Sequence, residues 1–138
     1  MRAVLAATIV TATSLPALAD SVPLAGLYRV EVPLEIPNVR GEMPFRTVER
    51  CIAAERAEGA LFAIVSSPKI AECPVVHRSR DGGRIEVEVV CAPVNTGRAS
   101  ARIELAEMGY TGRIAVTMGG KNMTLTEIQR ADRIGDCP

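Results

Sequence analysis

The chain has no tryptophan, two phenylalanines, two tyrosines and one histidine in 138 residues, and no excess charge of either sign, with 16 Lys+Arg against 16 Asp+Glu. Neutrality without a basic run argues against nucleic acid or an anionic membrane surface as a partner. No CxxC pair and no Cys/His cluster at zinc-ligand spacing is present, which removes the usual metal and dithiol readings. No glycine-rich phosphate loop leads from a strand into a helix, so a nucleotide site has no support. Beyond the N-terminus no apolar run reaches the length of a transmembrane helix, and no repeat or low-complexity tract occurs.

What is there begins with a targeting segment. Arg2 gives a short positive start, Ala3 to Leu15 is apolar, and Ala17-Leu18-Ala19 fits a small-x-small cleavage site. Residues 1–19 therefore read as a signal peptide, cleaved near Ala19, with residues 20–138 as a single secreted domain. A membrane anchor is the weaker reading, because the apolar run is short and carries Thr11, Thr13, Ser14 and Pro16. No cysteine lies near the cut to take a lipid. Cleavage removes Arg2 and leaves 15 positive against 16 negative residues. Arginine outnumbers lysine by 14 to 2, a ratio given no functional weight.

The remaining composition is that of an ordinary globular domain, 48% apolar and 23% charged. A chain of this length buries about two-thirds of its unfolded surface. Residues 28–36 alternate, with Tyr28, Val30, Val32, Leu34 and Ile36 on one face and Arg29, Glu31, Pro33 and Glu35 on the other. Pro33 requires an edge position or a bulge there. After a loop at Pro37 to Gly41, a second strand is expected from about Phe45 to Cys51. Residues 52–58 then have the composition of a short helix that Gly59 would stop. Residues 60–70 are ambiguous between more helix and strand. Further strands follow at Ala99 to Leu105, Tyr110 to Met118, and onward to about Ala131. Gly119-Gly120 reads as a two-residue turn that places Val116 opposite Met123 and Ile114 opposite Leu125. The expected fold is mainly β: an up-and-down antiparallel meander of about seven strands, curled into a half-barrel or barrel, with one short helix after the second strand.

Four cysteines in an exported domain read as two disulfides, with three connectivities open in principle. The segment from Cys73 to Cys91 is a hairpin around Asp81-Gly82-Gly83. A three-residue loop pairs Arg80 with Arg84 and sets Cys73 across from Cys91. That register places Val75, His77 and Ser79 opposite Val89, Val87 and Ile85 on an apolar face, and Arg78 opposite Glu86 on a charged one. Cys73–Cys91 is therefore expected, and Cys51–Cys137 follows by elimination.

Several features together resemble a known family. They are Gly26-Leu27-Tyr28-Arg29-Val30, Cys51 before a short helix, the Cys73/Cys91 hairpin, Met118-Gly119-Gly120-Lys121-Asn122-Met123 and the terminal Gly135-Asp136-Cys137. In order and spacing they resemble domain of unknown function family 3617, small exported proteins of Gram-negative bacteria. Tyr28 stands where that family usually has tryptophan, and either aromatic ring can plug a core. The resemblance implies an exported, disulfide-linked β domain and brings no activity, cofactor or catalytic residue.

Candidate chemistry is sparse. His77, with Ser79 and Asp81 nearby, does not make a triad that spacing alone can place, and a half-buried structural imidazole is the expectation. Glu86 and Glu88 read as a solvated pair on one strand face. Met118 and Met123, diagonal across the turn at ~7–8 Å, are the alternative candidates, as Cu(I) ligands. The expected function is a non-enzymatic periplasmic binding or accessory protein for an apolar small ligand or an envelope protein. Tyr28, Val30, Val116 and Met118 are its candidate ligand-lining residues, with no catalytic residue, metal or cofactor assigned and no integral membrane segment after cleavage.

Overall fold

The computed structural model describes residues 25–53, 63–93, 96–119 and 123–138. The expected signal peptide and most of the expected 52–58 helix lie outside these residues. The described chain forms seven strands and one short helix: β1 (Gly26–Glu35), β2 (Met43–Ile52), α1 (Pro68–Ala71), β3 (Val75–Asp81), β4 (Arg84–Val90), β5 (Gly97–Ala106), β6 (Gly109–Met118) and β7 (Met123–Gly135). All seven strands join one antiparallel sheet in the order β2-β1-β7-β6-β5-β4-β3. Strands β3 to β7 form a continuous meander, and the β1–β2 hairpin adds through β1 to the far side of β7.

The expected alternation of β1 is the observed one. Tyr28, Val30, Val32 and Leu34 are buried while Arg29 and Glu31 are exposed. With Ile85, Val87 and Val89 of β4, Ala99, Ala101 and Ile103 of β5, and Tyr110, Ile114 and Val116 of β6, the first three form one apolar cluster on one face of the sheet. Each fully buried Val or Ile contributes about 1.5–3 kcal/mol. Pro33 is accommodated by a bulge: Val32 pairs with Arg46 and Pro33 with Pro44, leaving Phe45 as the extra residue.

The sheet does not close into a barrel. Closure would pair β2 with β3, but these are the two free edges. Both are interrupted, β2 by Pro44 and the bulge at Phe45, and β3 by a bulge at Val76. Covering of the apolar face comes from elsewhere. Residues 63–71, between β2 and β3, lie across it, with Ile64 and Ile70 buried in the apolar cluster and Val65 and Ala71 packed against it. The described helix is α1, with Pro68 in its first turn; of the expected 52–58 helix, Ile52 belongs to β2 and residues 54–58 lie outside the described residues.

Two hairpin registers differ from expectation. The β3–β4 turn is the two residues Gly82-Gly83, with Asp81 paired to Arg84. Gly82, at φ +56°, supplies the positive φ that the first central residue of a II′-type turn requires. This one-residue slip turns His77 and Ser79 to the face of Glu88 and Glu86, and sets Arg78 and Arg80 opposite Val87 and Ile85. His77 is therefore exposed on the charged face instead of half-buried on the apolar one. The bulge at Val76 then absorbs the extra residue, so Val75 still faces Val89, and Cys73 bonds to Cys91. At the β6–β7 connection the slip is two residues: Met118 pairs with Met123, Val116 with Leu125 and Ile114 with Glu127. A two-residue slip preserves which face each side chain takes, so β6 keeps its expected inner face.

The second disulfide, Cys51–Cys137, spans β1 to tie the end of β2 to the end of β7. Its sequence separation of 86 greatly exceeds the 18 of Cys73–Cys91. Loop-closure entropy predicts that Cys51→Ser with Cys137→Ser destabilises by roughly 4–5 kcal/mol, and Cys73→Ser with Cys91→Ser by about 3 kcal/mol. Urea titration of the two double variants should return them in that order.

Candidate binding face and its buried polar network

The apolar face carries two buried polar side chains among the described residues, Glu127 and Gln129, both with 0% exposure. Strand parity puts them there. Leu125, Glu127, Gln129 and Ala131 share one side of β7, opposite Val116, Ile114, Gly112 and Tyr110. A carboxylate in such a place survives only if its oxygens are satisfied. One Glu127 oxygen accepts the Val65 backbone N–H at 3.0 Å and the Gln129 side-chain amide at 2.6 Å, and the other accepts the Ser66 N–H at 2.6 Å. The same Gln129 amide nitrogen donates to the Ala63 carbonyl at 2.9 Å, and the Tyr110 hydroxyl donates to the Gln129 side-chain oxygen at 3.1 Å. Sheet and covering segment are thus joined by polar bonds in the middle of an apolar layer.

The covering segment has further attachments along its length. The Ser67 hydroxyl donates to the Met118 sulfur at 3.5 Å, Ile70 packs where a side chain on Gly97 of β5 would sit, and Cys73 is covalently held to Cys91. The two tyrosine rings stand at the other end of the network, 6.2 Å apart and tilted by 43°. Burial pushes both phenols above their ordinary value. The Arg133 charge opposes this weakly at Tyr28, and the Arg50 guanidinium, by charge and hydrogen bond, opposes it at Tyr110. Both hydroxyls stay protonated at neutral pH, as the bond from Tyr110 to Gln129 needs.

Of the expected ligand-lining residues, Tyr28 and Val30 lie in the closed interior and Val116 is equally buried. Val116 also borders a cleft of about 450 Å³ beneath the loop after β1, with Thr117, Thr124 and Thr126 on its wall. Met118 is half-buried under Ser67. Met123 is directly opposite Met118, not diagonal, and is 57% exposed. The cysteines stand at two ends of the sheet as disulfides, and no cluster of His, Cys, Asp or Glu suited to a metal ion occurs among the described residues.

The opposite face is charged. Arg84 bonds Glu104 at 2.7 Å, Arg102 bonds Glu86 at 2.9 Å, Arg130 reaches Glu42 in the loop after β1 at 2.6 Å, and Arg113 grips Glu35. The Arg113 hydrogen bond holds the Glu35 carboxyl below the usual carboxylate range. These pairs are exposed and stabilise little. His77, Glu86 and Glu88 line a shallow depression on this face with Arg102 and Arg113, and Asp81 sits at the turn end of β3.

The features so far define a class: a disulfide-linked β protein with, among the described residues, one sheet whose apolar face is covered by one crossing segment. Disulfides of this kind belong to an oxidising, exported environment, and no helix among the described residues is long and apolar enough to cross a membrane. Residues 23–137 match the family described as a protein of unknown function, DUF3617, and the chain belongs to that family. No curated protein and no solved structure matches it.

Glu127 and Gln129 escaped the sequence reading because hydrophobicity was the guide. Parity was the available signal, since any register that keeps Leu125 and Ala131 inward also turns Glu127 and Gln129 inward. The raised phenols give a clean check, because the chain has two tyrosines and no tryptophan. Their raised folded values stabilise the protein fully below about pH 10, and that contribution is lost as pH rises through them. Tyrosinate absorbance of the folded protein should appear only above pH 10, while in urea both phenols titrate near 10. Folded-state titration at the ordinary value would contradict the buried network.

Proposed function

We infer that this is a periplasmic, non-enzymatic binding protein that takes an apolar small molecule between its sheet and the segment 63–71, after removal of residues 1–19. The observation that carries the reading is the way the apolar face is covered: by a crossing segment fastened through polar bonds to Glu127 and Gln129, where a second sheet or a closed barrel would give permanent cover. Lifting that segment offers Tyr110, Ile114 and Val116 to a ligand. Recognition of an envelope protein along a free edge is less favoured, because both edge strands carry bulges and β2 carries Pro44.

A second reading has one specific observation behind it. Met118 and Met123 face each other directly across the end of the β6–β7 hairpin, closer than a diagonal pair would be, and two thioethers suit Cu(I). Native mass spectrometry of protein purified from the periplasm separates the readings. An organic mass that organic extraction removes, with saturable uptake of 1-N-phenylnaphthylamine by the extracted protein, is expected. A copper mass lost in the Met118→Leu, Met123→Leu variant would favour the second reading, and a bare chain with no probe uptake would overturn the first.

A further inference from the structure

The connection that covers the apolar face starts and ends at cysteines. Cys51, at the end of β2, is bonded to Cys137 of the C-terminal segment after β7, and Cys73, just beyond α1, is bonded to Cys91 at the end of β4. Between these fixed points the described part of the connection is held to β7 by hydrogen bonds that converge on Glu127 and Gln129. The energetics of that fastening are unlike those of the core. An apolar side chain in place of Glu127 would add apolar contact to the covered state but leave the Val65 and Ser66 N–H groups without their acceptor there. A carboxylate exchanges its two lid donors, the Val65 and Ser66 N–H groups, for water when uncovered and keeps the Gln129 amide of its own strand, so the net preference for closure is a small difference between large terms. The covered state also leaves the Ser66 hydroxyl buried without a hydrogen-bond partner among the described residues, which tilts the balance further toward release.

We propose that residues 63–71 are a releasable lid and that Glu127 is its latch: the lid lifts from the apolar face between two disulfide anchors while the sheet stays folded. The ligand admitted is the apolar small molecule of the preceding section, and in that respect the proposal rests on that reading. Gln129 is the latch's support. Its amide holds the Glu127 oxygen and the Ala63 carbonyl together, and Tyr110 fixes the orientation of that amide. The disulfides confine the motion, because with Cys51 and Cys73 tied to the sheet, opening exposes the face without detaching a strand.

Hydrogen exchange resolved to single amides tests this on the intact, oxidised protein. In the wild type, the Val65 and Ser66 amides should exchange by a route insensitive to low urea, while the amides of β6 and β7 exchange only through global unfolding. In Glu127→Gln the side-chain NH2 faces the Ser66 N–H, donor against donor. Exchange at Val65 and Ser66 should rise roughly ten- to hundredfold with strand protection retained, and uptake of 1-N-phenylnaphthylamine should increase. Local acceleration without uptake in either protein would uphold the lid and overturn the ligand reading. Exchange of Val65 and Ser66 only through global unfolding in the wild type would overturn the lid whatever the probe does. So would a Glu127→Gln change spread evenly over the strands.

Discussion

One face of the sheet must be kept from water, and everything distinctive about the molecule follows from how this is done. The strand order is that of an up-and-down ring opened between β2 and β3. The chain leaving β2 does not turn back to complete the ring; it crosses the apolar face before reaching β3. Ile64 and Ile70 supply apolar cover, but backbone donors and acceptors come with them, and a backbone laid on an apolar layer needs partners. Glu127 and Gln129 are those partners, side chains reaching up from the sheet to meet Ala63, Val65 and Ser66. The polar residues on the inner face are therefore a requirement of the covering segment's geometry.

Strand parity explains what could be read in the sequence and what could not. The inner face of β1 was legible because five apolar residues alternate with charges and Pro33, and no other pairing serves them. The β6 face is legible for a different reason: the expected Gly119-Gly120 turn differs from the observed register by two residues, and an even difference leaves faces unchanged. The β3 face was lost to an odd error, a turn of Gly82-Gly83 in place of Asp81-Gly82-Gly83, which moved His77 across the sheet. The cysteines still meet because Val76 bulges out and restores the count. Local composition carries no mark of that bulge. The helix α1, Pro68–Ala71, is four residues long and offers no periodicity to read, and the lattice of bonds around Glu127 depends on a segment 61 residues earlier in the chain, beyond any periodicity.

The two faces differ in how they tolerate change. Arg84, Arg102, Arg113 and Arg130 each find a carboxylate on the charged face, in exposed pairs that salt weakens. Substitutions there move charge around without touching the interior. On the inner face a single atom counts, because Gln129 bridges Tyr110, Glu127 and Ala63 with one amide group.

The disulfides are nested, with Cys73–Cys91 enclosed in sequence by Cys51–Cys137. A chain oxidised in the order in which its cysteines emerge joins Cys51 to Cys73 first, a pairing that the folded protein does not contain. Cys137 is the last of the four cysteines in sequence order, so the correct partner of Cys51 arrives last. Biogenesis therefore depends on thiol–disulfide exchange reshuffling an early wrong bond, or on the β3–β4 hairpin closing fast enough to sequester Cys73. Maturation of this small domain is in that sense a race between hairpin formation and oxidation, with the outcome fixed only when Cys137 has been delivered.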